Sequence, residues 1–326
     1  MGVLTSGMIS IKPMRVAYDG QLDELLGLID ENKYPTSPSS PSEGFGGLGD
    51  EASVVGGSSE LSFRVGDASI DEPEDGTPRR LRVRYYYDVM DKRLVRLLGQ
   101  QEDWKRVYSR KAFDLTVIEN TGEKGTAVMV SVRDATTVKN HVIKAVKTLF
   151  PGGGSAGVGI EIDDIPESYI SDFFVWMLYR YHEDQQLASD VSINWVGEIA
   201  TRDGMRRGAR FTDDAGFGRI DMSTHIANGT SNFGPAKIDI RDDSLDANFS
   251  LELHFDGGFV VYRSSHYGGG EMLSHEAAGL RLSDDLWITV LPKVRAAYNN
   301  DSDWTQTGRQ KLREMALDSV KFGLNI

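Results

Sequence analysis

The residues best suited to binding a ligand are alternating arginines followed by a run of tyrosines. Arg80, Arg82 and Arg84 occupy every second position, and a Tyr-Tyr-Tyr triplet follows at 85–87. Side chains at every second position of a strand share one face. Guanidinium groups bind phosphates bidentately, and aromatic rings stack on unpaired bases. The pattern predicts a surface for single-stranded or structured nucleic acid, with these candidate residues: Arg80, Arg82, Arg84, Tyr86, Trp104, Lys105, Arg106, Tyr108, Arg110 and Lys111.

The same cations have a second interpretation. They could pair with the chain's own acidic stretch at 67–75, or with an acidic surface of a protein partner. Half of the aromatic residues must face a core in any case. The residue types alone leave both interpretations open.

A further polar set lies in the alternating runs between 191 and 265. His225, Glu252 and His254 fall at outward positions of predicted strands. Imidazoles and carboxylates in proximity can hold a metal ion or perform general acid–base catalysis. A solvated sheet face has the same composition, so we expect no catalytic residue, bound metal or cofactor. If the strands that carry them converge, these three residues are the candidates for such a site.

Charge is segregated along the chain. The 326 residues carry a net charge of −13, yet residues 79–147 contain 16 Lys and Arg against 8 Asp and Glu. The flanks are acidic, with 4 cations against 14 acids in 1–78 and 16 against 27 in 148–326. A clustered positive patch attracts polyanions or acidic surfaces even on an acidic protein.

Composition excludes several classes of site. The chain has no Cys, which removes disulfides, thiolate metal sites and a cysteine nucleophile. Its start lacks the pattern of a secretory signal, and the longest apolar run, at 173–179, is too short to span a bilayer. We therefore expect a cytoplasmic protein without membrane contact. Asp exceeds Glu and Arg exceeds Lys, a bias that suits a GC-rich or salt-adapted organism.

Hydrophobic periodicity predicts the elements that must position these residues. We expect short helices over Leu22–Ile29 and Asp91–Arg110, a strand from Arg79, and a hairpin of Phe113–Glu119 with Thr126–Arg133. The further elements are a helix from Thr136 to Leu149, a buried aromatic helix from Pro166 to Leu187, a β-meander over 191–265, and helices over Asp285–Tyr298 and Trp304–Phe322.

These elements predict an α+β protein. A small unit of β-hairpin and helix precedes a larger domain, in which an antiparallel β-meander packs on a buried helix and two C-terminal helices follow. The predicted divisions are a helical segment at 1–33, a low-complexity acidic linker at 34–78, a basic α+β domain at 79–150 and an acidic α+β domain at 158–326.

The leading hypothesis is a non-enzymatic protein that binds a polyanion, nucleic acid first, through residues 79–147. The alternative is an assembly subunit of a larger complex that docks on an acidic partner. The third is a metal-assisted hydrolase that uses the meander face.

Overall fold

The computed structural model describes most of the chain. The described residues are 8–18, 20–46, 67–72, 78–98, 103–119, 126–150, 160–161, 169–202, 208–212, 220–229, 232–269 and 275–324. They divide into two compact units: one is Ile9–Pro166, and the other is Glu167–Ile326 together with Met8. Both units combine helices with an antiparallel sheet, so the predicted α+β class is confirmed.

The first unit is built on an antiparallel sheet with the strand order β1-β6-β5-β4-β2. In addition, β3 pairs with β4, and β7 pairs with β1. The strands are β1 Met8–Val16, β2 Glu43–Gly46, β3 Ser69–Asp71, β4 Arg80–Met90, β5 Tyr108–Ile118, β6 Thr126–Val130 and β7 Ile160–Glu161. The helical segments are Leu22–Glu31, Lys92–Leu98, the turn Trp104–Arg106, and a continuous helix over 135–149.

Two helices and one face of this sheet share the core of the first unit. Alternate residues of β4, at 81, 83, 85 and 87, pack in one cluster with Leu25 and Ile29 of the first helix and with Val142 and Val146 of the 135–149 helix. Burying these apolar side chains stabilises the layer arrangement. Residues 80, 82, 84 and 86 therefore point to the opposite face of β4.

Several local expectations for the first unit require correction. The helix predicted over Asp91–Arg110 is only Lys92–Leu98, because the chain turns at Trp104–Arg106 and enters β5 at Tyr108. Residues 34–78 are not simply a linker, since the described parts include β2 and β3, both paired with β4. The cap of the 135–149 helix is Asp134, whose carboxylate accepts hydrogen bonds from the backbone of Thr136 and Thr137.

The second unit contains the predicted meander. Its antiparallel sheet has the order β10-β9-β11-β12-β13, and β14 pairs with β12 while β8 pairs with β9. The strands are β8 Gln186–Ala188, β9 Val191–Arg202, β10 Gly208–Thr212, β11 Phe233–Asp242, β12 Ala247–Leu253, β13 Phe259–Tyr262 and β14 His266–Tyr267. The helices are Ser171–Glu183, Ile220–Ala227, a continuous helix over 275–300, and another over 304–323.

The aromatic helix Ser171–Glu183 is the buried helix of this unit, as predicted, and it packs on β9 and β11. Phe173, Phe174 and Trp176 are among its fully buried side chains. The strand at Phe249 and the turn that follows it are also as expected. Gly257 has a φ of +70° in that turn, a conformation that L side chains rarely adopt.

One part of the predicted meander is helical instead. Residues Ile220–Ala227 form a helix whose buried side chains are Met222, Ser223, Ile226 and Ala227. Their spacing follows the helical period of about 3.6 rather than the strand period of 2. His225 therefore lies on this helix and not on a strand of the sheet.

Candidate functional site

The arginines of β4 do not form the exposed face that the sequence predicts. Arg84 is 0% exposed, and its Nε donates a hydrogen bond to Oδ1 of Asp114 at 2.9 Å. Arg82 is also buried, and its Nε lies 2.5 Å from Oδ2 of Asp71 on β3. Arg80 is partly exposed and donates to the carbonyl of Pro78. The prediction of a solvent-facing arginine row is therefore wrong, because neighbouring strands supply carboxylates to two of its members.

Two more candidates, Tyr86 and Arg110, contact other residues of the same unit. Tyr86 is fully buried and packs edge-to-face against Tyr34, with 6.0 Å between ring centroids. Arg110 lies 4.0 Å above the same Tyr34 ring, and its Nε is 3.7 Å from the carboxylate of Asp88. In this conformation Tyr86 has no exposed ring face on which a base could stack.

The remaining candidates lie at or beside one end of the hairpin formed by β4 and β5. We call residues 91–107, which connect these strands, the hairpin tip; its residues 99–102 lie outside the described residues. Five cations of the tip are exposed, and no ion pair joins any of them to another part of the chain that the structure describes: Lys92, Arg93, Arg96, Lys105 and Arg106.

The two described acidic residues of the hairpin tip, Asp91 and Asp103, accept hydrogen bonds from the backbone. Asp91 accepts hydrogen bonds from the backbone N–H groups of Arg93 and Leu94. Asp103 accepts from the backbone N–H of Lys105. Both carboxylates stabilise the local turns of the tip, as capping residues do. The cationic side chains thus extend into solvent from the two described segments of the tip, 91–98 and 103–107.

Aromatic residues attach the hairpin tip to the rest of the unit. Trp104 Nε1 donates a hydrogen bond to the carbonyl of Ser39 at 2.9 Å, and its ring packs edge-to-face on Tyr108 at 5.7 Å. Both rings are partly exposed. Lys111, farther along β5, is partly exposed as well. Trp104, Lys105, Arg106 and Tyr108 are therefore the predicted candidates that keep accessible surface at or beside the hairpin tip, and Lys111 keeps it farther along β5.

Sequence reasoning missed an apolar component of this surface. The helix Lys92–Leu98 has no buried residue. Leu97 is 79% exposed and Leu98 46%, and Met90 at the end of β4 is 45% exposed. The run Lys-Arg-Leu-Val-Arg-Leu-Leu at 92–98 was the available signal, because a basic segment rich in leucine is typical of a helix that meets a partner.

The meander face brings together two of its three candidates. His254 Nε2 lies 3.3 Å from Oε1 of Glu252, and the other oxygen of that carboxylate accepts a hydrogen bond from Tyr262 at 2.8 Å. Burial, followed by this contact with Glu252, raises the pKa of Tyr262 to about 12. His225 packs against Phe211 from its helix. In the described part of the chain, no three His, Asp or Glu side chains are placed to hold a metal ion.

No family model matches the sequence, and no curated protein is significantly similar to it. Among the helices of the described residues, none is both long enough and apolar enough to cross a bilayer.

Proposed function

We propose that this protein binds nucleic acid through its hairpin tip. The observation that carries the proposal is the group of five exposed cations that have no carboxylate partner within the described residues. A cluster that keeps its charges directed to solvent is suited to phosphate groups, whose neutralisation releases counterions.

The arrangement favours contact with the nucleic acid backbone over base recognition. Lys92, Arg93 and Arg96 follow one another within two helical turns, and Lys105 and Arg106 lie in the returning segment. Long flexible side chains on a short connection can follow the phosphates of many sequences. The partly exposed rings of Trp104 and Tyr108 add stacking surface for unpaired bases. We expect binding with little sequence preference and a preference for single strands.

The exposed leucines favour a second candidate function. Leu97 and Leu98 beside the cations would suit an acidic protein surface with an apolar groove, on a partner or on another copy of the chain. Phosphate binding needs no such side chains. The two candidates therefore differ in whether the leucines contribute to binding.

Neutralising the hairpin tip should abolish most nucleic acid binding. We expect the five substitutions to Gln at residues 92, 93, 96, 105 and 106 to weaken the affinity for a labelled single-stranded oligonucleotide by at least about tenfold at moderate salt. The slope of log affinity against log salt concentration should become shallower by up to about 3.5, because each single-strand phosphate contact contributes about 0.7 to it. Fluorescence anisotropy over a salt series measures both quantities.

A matched control separates local contact from net charge. Five exposed cations of the second unit can be changed to Gln with the same loss of charge: Arg210, Arg263, Lys311, Arg313 and Lys321. This control should keep the wild-type slope. Equal loss in both variants, or no loss in the tip variant, would contradict the proposal.

The leucine pair tests the second candidate. Leu97→Ser with Leu98→Ser should leave oligonucleotide affinity unchanged if the tip binds phosphates. Sedimentation of the wild type without nucleic acid provides the other measurement. A mass that rises with protein concentration, and that the leucine variant returns to the monomer value, would favour docking between copies of the chain.

A further inference from the structure

A cavity of about 530 Å³ opens in the first unit. Its lining comes from the segment 31–44, from β4 and from the 135–149 helix. None of the tip residues lines it, so the cavity and the proposed nucleic acid surface are formed by different residues. The volume lies within the usual range for sites that hold small molecules.

A carboxylate, an imidazole and an ammonium group meet in this cavity. Glu43 on β2 accepts a hydrogen bond from Lys144 Nζ, and His141 Nδ1 lies 3.3 Å from the second oxygen of the same carboxylate. Burial opposes the charge on Glu43, but the hydrogen bonds from Lys144 and His141 hold its pKa below the ordinary value. Glu43 is therefore a carboxylate at neutral pH.

The helix is locally adapted at this position. His141 belongs to Val138–Val142, a π-helical segment within the 135–149 helix. Such widened turns occur often at functional sites. The imidazole stacks on the ring of Tyr87, with 4.1 Å between centroids. The wide turn and the stacked ring fix His141 beside Glu43.

The charges that line the cavity have both signs. Glu31 and Asp88 add carboxylates to Glu43, while Lys33 adds an ammonium group to Lys144. A ligand with one charge would gain from one wall and be repelled by its neighbour, because Glu43 and Lys144 are in direct contact. A ligand that carries both charges can satisfy both groups at once.

Tyr85 also contacts Glu43 at the wall of the cavity. Tyr85 and Tyr87 line the cavity from β4 with their rings packed in the core, where Tyr85 contacts Phe113 and Tyr87 stacks on His141. Burial raises the pKa of the Tyr85 hydroxyl, and the charge of Glu43 raises it further, so the phenol stays neutral. We propose that this cavity binds a small zwitterion of the α-amino-acid type, whose ammonium group pairs with Glu43 and whose carboxylate pairs with Lys144.

The test measures binding of the standard L-amino acids to the full chain by saturation-transfer NMR. We expect at least one of them to bind. Its decarboxylated amine and its deaminated acid should each bind at least about tenfold more weakly, because each loses one charged hydrogen-bond partner. Glu43→Gln and Lys144→Met should each weaken the affinity for the amino acid by a similar factor.

Lys147→Met is the matched control, since Lys147 is exposed on the same helix and does not line the cavity. It should leave binding unchanged. Lys144 is itself largely exposed, so its replacement tests the site even if Glu43→Gln disturbs folding. Absence of binding for every amino acid up to about 10 mM would overturn the proposal. So would equal affinity for the amine or the acid, or wild-type affinity in the Lys144 variant.

Discussion

Replacing Asp114 with Ala is expected to lower the free energy of unfolding by about 3–5 kcal/mol, the usual cost of removing one partner from a buried ion pair. Asp114 and Arg84 lie directly opposite each other on β5 and β4, and both side chains are buried. The guanidinium group cannot release its proton at any ordinary pH. The variant must therefore keep a buried cation without this carboxylate, or unfold part of the sheet to solvate it.

Removing the other partner, in Arg84→Met, should lower the free energy of unfolding by less than Asp114→Ala does. The size of this loss should depend on pH. Burial raises the pKa of Asp114 to about 7, against the attraction of Arg84. A carboxyl whose pKa is higher in the folded chain binds more protons when folded, so its contribution to stability is greatest at acidic pH and declines as the pH rises towards 7. In Arg84→Met the carboxyl can stay protonated, so the variant should be least destabilised near pH 5 and lose stability as the pH rises.

Urea unfolding followed by circular dichroism at several pH values measures both effects. The double variant Arg84→Met with Asp114→Leu is the control, because replacing a whole buried pair by apolar groups is often neutral. If Asp114→Ala unfolds within about 1 kcal/mol of the wild type, the pair is not the buried contact described here.

Replacing Trp176 with Ala is expected to cost about 3–5 kcal/mol, since it leaves a large cavity in the second unit. Trp176 is 1% exposed, and its ring packs near Phe173 and Tyr298. Its Nε1 also donates a hydrogen bond to Oδ2 of Asp301 at 2.8 Å. The melting temperature of this unit should fall by roughly 6–20 °C.

Two further variants separate the causes of this loss. Trp176→Phe keeps most of the ring volume but removes the donor to Asp301, so its melting temperature should fall between those of the wild type and Trp176→Ala. Ile170→Ala, at an exposed position just before the same helix, should change the melting temperature very little. Calorimetry provides the comparison, and a near-normal value for Trp176→Ala would show that the helix is not the core element.

Local patterns in the sequence were sufficient for several of the regular elements. The helix at Leu22, the aromatic helix at Phe173 and the meander strand at Phe249 were predictable because their apolar residues repeat at the helical or strand period. The helix Ile220–Ala227 was missed although its buried positions have helical spacing. Polar residues at alternating positions favoured a strand instead, and packing overrode that weak preference.

The candidate site was only partly predictable. The excess of cations between 79 and 147 is a property of the sequence, and so is the run of basic residues and leucines at the hairpin tip. Whether each cation is exposed or buried is not a property of the sequence. Arg84 and Arg96 have the same side chain, yet one is buried against Asp114 and the other is exposed.

The sequence by itself therefore determined the α+β class, the meander with its buried helix, and the segment in which positive charge is concentrated. Only the tertiary structure decided which cations remain exposed and which groups gather around Glu43. The physical reason is that periodicity acts between residues close in the chain, whereas ion pairs and cavities depend on strand register and packing. These bring together residues as distant as Glu43 and Lys144.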